Sequence, residues 1–224
     1  MPTTMQPMEI HVFDRDAEVL ITARRLPHWA QAGAITFITW RTDDSIPAPV
    51  LAQWRADQCR WLRAHEINPD QPDWRKQLAG LPSASREEFQ RTFSDRWHEE
   101  LDAYHGACVL RQPELAKIVA TSLHHFDSDR YVLTDFVIMP NHVHLLAAFP
   151  DEAAMLAQCE SWKHYTAVQI NRALDRKGRF WEQDGFDHLV RSDEWFEHYR
   201  RYIAENSNRA RLAAGEFIHF SKVL

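Results

Sequence analysis

Apolar residues recur along the chain at two different periods, and the switch between them sets out the elements. Ile35 to Thr42 is a β-branched and aromatic run with alternation, opened by Gly33 and closed by Asp43-Asp44-Ser45 and two prolines, which predicts a first strand. Val50 to His65 reads as a helix, and Glu66 to Ser83, with three prolines and no periodicity, reads as a loop. Ser85-Arg86-Glu87-Glu88 has capping-box form, and Phe89, Phe93, Trp97 and Leu101 then recur at every fourth position. That spacing predicts one buried helix face. Pro113 suits the first turn of a further helix with Leu115, Ile118, Val119 and Phe126 on its apolar side.

Arg130 to Met139 and His142 to Phe149 are strand-type runs separated only by Pro140-Asn141, so they predict an antiparallel hairpin. Glu152 to Lys177 follows as a long helix with Gly178 as its C-cap, then a short strand over Phe186–Arg191, then a helix from the Ser192 cap to about Asn206. With residues 46–112 set aside as a helical insertion, the order is strand, helix, strand, strand, helix, strand and an added C-terminal helix. This is an α+β chain with a ferredoxin-like βαββαβ core and an antiparallel sheet. One domain of 1–224 carrying that insertion is the expected organisation.

The 224 residues are 45% hydrophobic and 26% charged, in the ordinary globular range, which excludes collagen-like and disordered classes. Lys and Arg number 26 against 32 Asp and Glu, a net charge of -6, so any nucleic-acid site must be a local patch meeting few phosphates. Cys59, Cys108 and Cys159 form no CxxC pair and are odd in number, which speaks against a disulfide framework or a cysteine zinc site and for a reducing cytosol. The first sixteen residues lack signal-peptide form, and no apolar run approaches membrane-spanning length. A cytoplasmic protein without membrane contact is expected.

His142-Val143-His144 lies in a predicted strand, where the period of two points both imidazoles to one face with Cα atoms roughly 6.5 to 7 Å apart. Two such rings can converge on one cation, or simply occupy a polar sheet face. In the last helix Tyr202 and Asn206 are four apart and therefore neighbours. Tyr199 shares roughly that face, and spacing alone does not choose between the two tyrosines. Arg172, Arg176, Lys177, Arg179 and Arg191, with aromatics at Phe180, Trp181 and Phe186, could track a single strand by charge and stacking. A solvated helix C-terminus favouring cations explains the same cluster.

Arg25-Leu26-Pro27-His28-Trp29, Val137 to Leu146 with its Met-Pro-Asn-His-Val-His core, Ser161-Trp162-Lys163 to Asn171, Gly178 to Glu182, Phe186 to Arg191, and Arg201 to Asn206 occur in an order that resembles the repeat-associated tyrosine transposases, single-tyrosine HUH enzymes of bacteria. The likeness spans most of residues 25–212. It implies an HUH fold in which His142, His144 and Asn206 hold Mg²⁺ or Mn²⁺ and Tyr202 attacks a single-stranded DNA phosphodiester, leaving a 5′-phosphotyrosine and a free 3′-OH. It further implies Lys163, Arg172, Arg176, Lys177, Arg179, His188 and Arg191 as DNA contacts and palindromic repeat hairpins as the ligand, with a monomer or homodimer acting. The chain departs from the family in Glu182 after Trp181, where Gln is usual, and in Ser207 after Asn206, where Pro is usual. A hairpin-binding module that does not cleave is the alternative.

Overall fold

The computed structural model describes residues 10–12, 20–23, 27–95, 100–183 and 186–222. The chain divides into two compact units, one made of residues 1–43 and 108–224 and the other of residues 44–107. The sequence reading set the insertion at 46–112.

The larger unit begins with a small antiparallel pair, β1 (Leu20–Ala23) and β2 (Pro27–Ala30), which the sequence reading did not foresee. The main sheet contains β3 (Ile35–Arg41), β4 (Val132–Ile138), β5 (His142–Ala148), β6 (Phe186–Leu189) and β7 (Ile218–Ser221). Its order is β6-β3-β5-β4-β7, antiparallel throughout. The first four strands in that order follow the 4-1-3-2 arrangement of a ferredoxin-like βαββαβ core. β7 is a fifth strand added beside β4, beyond the elements expected from the sequence.

Strand alternation divides the sheet into two faces. Ile38, Trp40, Phe136, Ile138, Val143 and Leu145 point to one face, where they pack with Leu115, Val119 and Leu123 of α4 (Pro113–His124) and Met155, Trp162 and Ile170 of α5 (Glu152–Ala173). α1 (Ala48–Ala64), α2 (Trp74–Ala79) and α3 (Ser83–Phe89) belong to the other unit. Polar atoms within this core are linked: the Trp181 indole donates to Thr166 Oγ1, the Trp162 indole to the Tyr131 hydroxyl, and that hydroxyl to the Leu123 carbonyl at 2.6 Å. Burying these groups is tolerable because each finds a partner.

α5 ends at Ala173, four residues before the end expected at Lys177. Asp175 takes the left-handed conformation (φ 48°), the Arg176 amide donates to the Asn171 carbonyl and the Asp175 amide to that of Arg172. This is a Schellman stop with Asp in the position usually given to Gly. Gly178, also at positive φ, lies in the following turn, where its carbonyl accepts from the Asn171 side chain.

The smaller unit holds α1 (Ala48–Ala64), α2 (Trp74–Ala79), α3 (Ser83–Phe89) and a π-helical segment over Gln90–Asp95. α2 corrects the loop expected over 66–83. α3 starts at Ser83, directly after Pro82, and not at the Ser85 capping box. Phe89 and Phe93 pack with Leu62 and Ile67 as their spacing predicts, and Leu101 is buried, while Trp97 lies outside the described residues. Entry and exit of this unit meet: the Ala107 amide donates to Asp44 Oδ2 at 2.8 Å. Gly106 (φ +87°) passes so close that a Cβ would stand 2.6 Å from the Asp44 carbonyl oxygen, so only glycine fits.

Candidate active site

The second face of the main sheet carries Phe37, Thr39 and Arg41 of β3 opposite Leu146, His144 and His142 of β5, with His188 of β6 opposite Phe37. α6 (Asp193–Arg209) covers it, capped at its start by Ser192 Oγ, which accepts from the Trp195 amide. Phe196 and Ile203 are its buried apolar anchors. Asp135 of β4 is 1% exposed and receives Arg200 Nε at 3.2 Å and Ser221 Oγ at 2.6 Å, while Arg200 also donates to Ser221 Oγ and the Lys222 carbonyl. One guanidinium therefore ties α6 to both β4 and the end of β7.

His142 and His144 are fully buried, their ring centroids 4.6 Å apart. Each has its Nδ1 engaged by a side-chain oxygen: His142 by Asn141 Oδ1 at 2.8 Å, His144 by Thr39 Oγ1 at 2.7 Å. A ring whose Nδ1–H donates to oxygen presents Nε2 as the lone-pair nitrogen, the arrangement in which histidine binds a metal. Asn141 must accept from His142, because an amide oxygen has no proton to give.

The structure separates the two tyrosines. Tyr202 brings its hydroxyl to 3.5 Å from His144 Nε2, with ring centroids 5.2 Å apart. Tyr199 instead stacks flat on Phe37 at 4.3 Å. Burial pushes its phenol up to about 12, with the Arg191 cation pulling more weakly the other way. Tyr202 is the tyrosine at the histidines.

That raised value has a consequence for alkaline stability. An unfolded tyrosine titrates near 10, so between pH 10 and 12 the folded chain keeps a proton that the unfolded chain releases, and stability falls as pH rises across that interval. Below pH 10 the contribution is fully present. Tyr199→Phe should lose less stability than the parent over the same range, by at most about 2.7 kcal/mol. Parallel thermal melts at pH 9 and pH 11 measure the first half of that difference, about 1.4 kcal/mol; equal losses would assign the effect to another group.

Asn206 lies one turn beyond Tyr202 and is fully buried. Neither its Oδ1 nor its Nδ2 meets a hydrogen-bond partner among the described residues. An amide buried in that state is costly unless a ligand completes it. Among the described residues no three His, Cys, Asp or Glu side chains cluster as a metal site. Two imidazoles and an amide lack the thiolates of a closed structural zinc site and leave coordination positions open to a divalent cation.

The other expected contacts are spread more widely. Arg172, Lys177, Arg179 and Arg191 are exposed. Lys163 donates to the Gln183 carbonyl at 2.7 Å, and Arg176 donates to the Arg179 carbonyl and lies 3.9 Å from Asp43. His188 is half-buried on the site face, with its ring 6.3 Å from that of Tyr199. Of the motif before the first strand, Arg25 and Leu26 lie outside the described residues.

Residues 109–206 match the family model described as transposase IS200 like. No curated protein matches. A solved structure of a REP-associated tyrosine transposase bound to a REP hairpin is similar at 14% identity with a TM-score of 0.38, over 81% of this chain and 71% of that one. His142, His144, Tyr202 and Asn206 all fall inside the transposase segment, whereas Thr39, which holds His144, comes from β3 outside it.

Both departures noted in the sequence have structural answers. Glu182 pairs with the buried Arg41 at 3.1 Å and with Arg179 at 3.7 Å, a role that glutamine could not fill as an anion. Ser207 is buried and keeps the backbone N–H that proline lacks, and α6 runs on past it to Arg209.

Proposed function

We propose that this chain is a tyrosine transposase of the repeat-associated type, which cuts and rejoins single-stranded DNA flanking palindromic hairpins. The observation that carries this reading is the approach of the Tyr202 hydroxyl to His144, beside a second histidine whose Nδ1 is held in the same way. The transposase family of residues 109–206 supports it.

In this reading His142, His144 and Asn206 hold Mg²⁺ or Mn²⁺, which when bound polarises the scissile phosphate and offsets the charge that develops on it. Tyr202 Oη attacks the phosphorus, the Tyr–O–P bond forms, and the P–O3′ bond breaks. The phenolic proton passes to solvent and the departing 3′ oxygen takes one up, so the exchange is balanced. Attack by another 3′-OH reverses the chemistry on a new strand without an external energy source. Asn141 and Thr39 keep the imidazoles oriented, and the Phe37–Tyr199 stack fixes the helix turn on which Tyr202 sits.

The test is incubation of the purified chain with labelled oligonucleotides bearing repeat hairpins and single-stranded flanks, in Mn²⁺ or in EDTA, followed by a denaturing gel. A covalent adduct that forms in Mn²⁺ and not in EDTA is expected. Hairpin binding without adduct in any divalent metal would replace this reading with that of a non-cleaving module.

A further inference from the structure

Trp195 is 51% exposed, one of three large apolar side chains so exposed among the described residues. It stands on α6 at positions shared with Tyr199, Tyr202 and Asn206, since offsets of four, seven and eleven residues fall on one helix face. Its ring continues a run of aromatic contacts into the site. It lies 5.8 Å from Tyr199, Tyr199 stacks on Phe37, and Phe37 stacks at 5.5 Å on His144. His198 meets it edge-on at 5.1 Å, supporting the indole from the side.

Trp195 occupies the first turn of a well-anchored helix and leaves half of a large indole in water, although Phe196 beside it is buried. Arg191, exposed and directly before the Ser192 cap, supplies a cation at the same end of the helix. An exposed aromatic and an exposed guanidinium at one helix end are the residue types that take single-stranded nucleic acid, the ring stacking on a base and the cation meeting a phosphate.

We infer that Trp195 is a stacking platform for one base of the single strand, with Arg191 on the adjoining phosphate, so that the strand is held along the face of α6 that carries Tyr202. This rests on the single-strand DNA reading above. The seven-residue rise from Trp195 to Tyr202 is about 10.5 Å, which places the stacked base within a few nucleotides of the bond that Tyr202 attacks.

The test scans 2-aminopurine, whose fluorescence falls on stacking, through each position of the single-stranded flank of the hairpin oligonucleotide, with the whole chain in EDTA so that binding is read without cleavage. Quenching is expected at one or two positions near the cut. It should be lost in Trp195→Ala with roughly five- to hundredfold weaker binding, and retained in Trp195→Phe. Circular dichroism of both variants should match the parent, since the side chain is on the surface. If the parent forms its Mn²⁺-dependent adduct and Trp195→Ala quenches and binds as the parent does, the platform is overturned and the cleavage reading stands. If quenching depends on Trp195 but no adduct forms in any metal, the platform stands and cleavage fails. Failure of the parent to bind the flank overturns both.

Discussion

Tyr202→Phe should form no covalent adduct with hairpin DNA in Mn²⁺, while hairpin affinity stays within about twofold and stability within ~0.5 kcal/mol of the parent. The variant removes one oxygen atom and leaves the ring that packs against Phe37 and His144. A phenol has a pKa near 10, so it is a weak nucleophile until a base or metal activates it, and no other hydroxyl on this helix face can substitute. Tyr199 is the obvious rival, yet its ring lies flat on Phe37 and burial disfavours its phenolate. Tyr199→Phe should therefore still form adduct. An adduct surviving in Tyr202→Phe and absent in Tyr199→Phe would reverse the assignment.

A different kind of loss is expected from Arg200→Ala. Asp135 is buried, and its carboxylate receives Arg200 and Ser221 on a single oxygen, Oδ1. Removing the guanidinium leaves that anion in a poorly solvated position and detaches α6 from the edge of the sheet. Breaking one side of a buried pair costs about 3–5 kcal/mol. Urea denaturation at pH 7 should show a loss of that order, and the double variant Asp135→Asn with Arg200→Ala should recover part of it by removing the stranded charge. A change of less than about 1 kcal/mol would mean that Arg200 acts only as a surface cation.

What the sequence made legible was local. The His-x-His spacing placed two imidazoles on one strand face because alternation is a property of any strand, and the Ser192 cap marked the start of α6 because its hydroxyl meets the third residue on. The choice between Tyr199 and Tyr202 was not local: it turns on how α6 is rotated over the sheet, and Phe37, more than 160 residues away, helps set that rotation. Thr39 escaped notice for a related reason. It reaches His144 through the pairing of β3 with β5 across 105 positions, and a threonine in a β-branched run carries no mark of such a partner. Nothing in the sequence sets Arg200 apart from its neighbour Arg201, and only the burial of Asp135 reveals its structural role. Asn141, by contrast, was visible in the turn before His142, but its use as an acceptor for that ring needed coordinates.

The hydrogen bond between Asp44 and Ala107 bears on how the gene for such a chain can vary. The sixty or so intervening residues leave and return at points one bond apart, so to the sheet they are equivalent to a tight connection after β3. Loop-closure entropy rises only with the logarithm of length, and here the closure is made by the unit's own ends. Insertions or deletions between these two points that keep this bond and Gly106 therefore keep the exit of the stretch beside its entry.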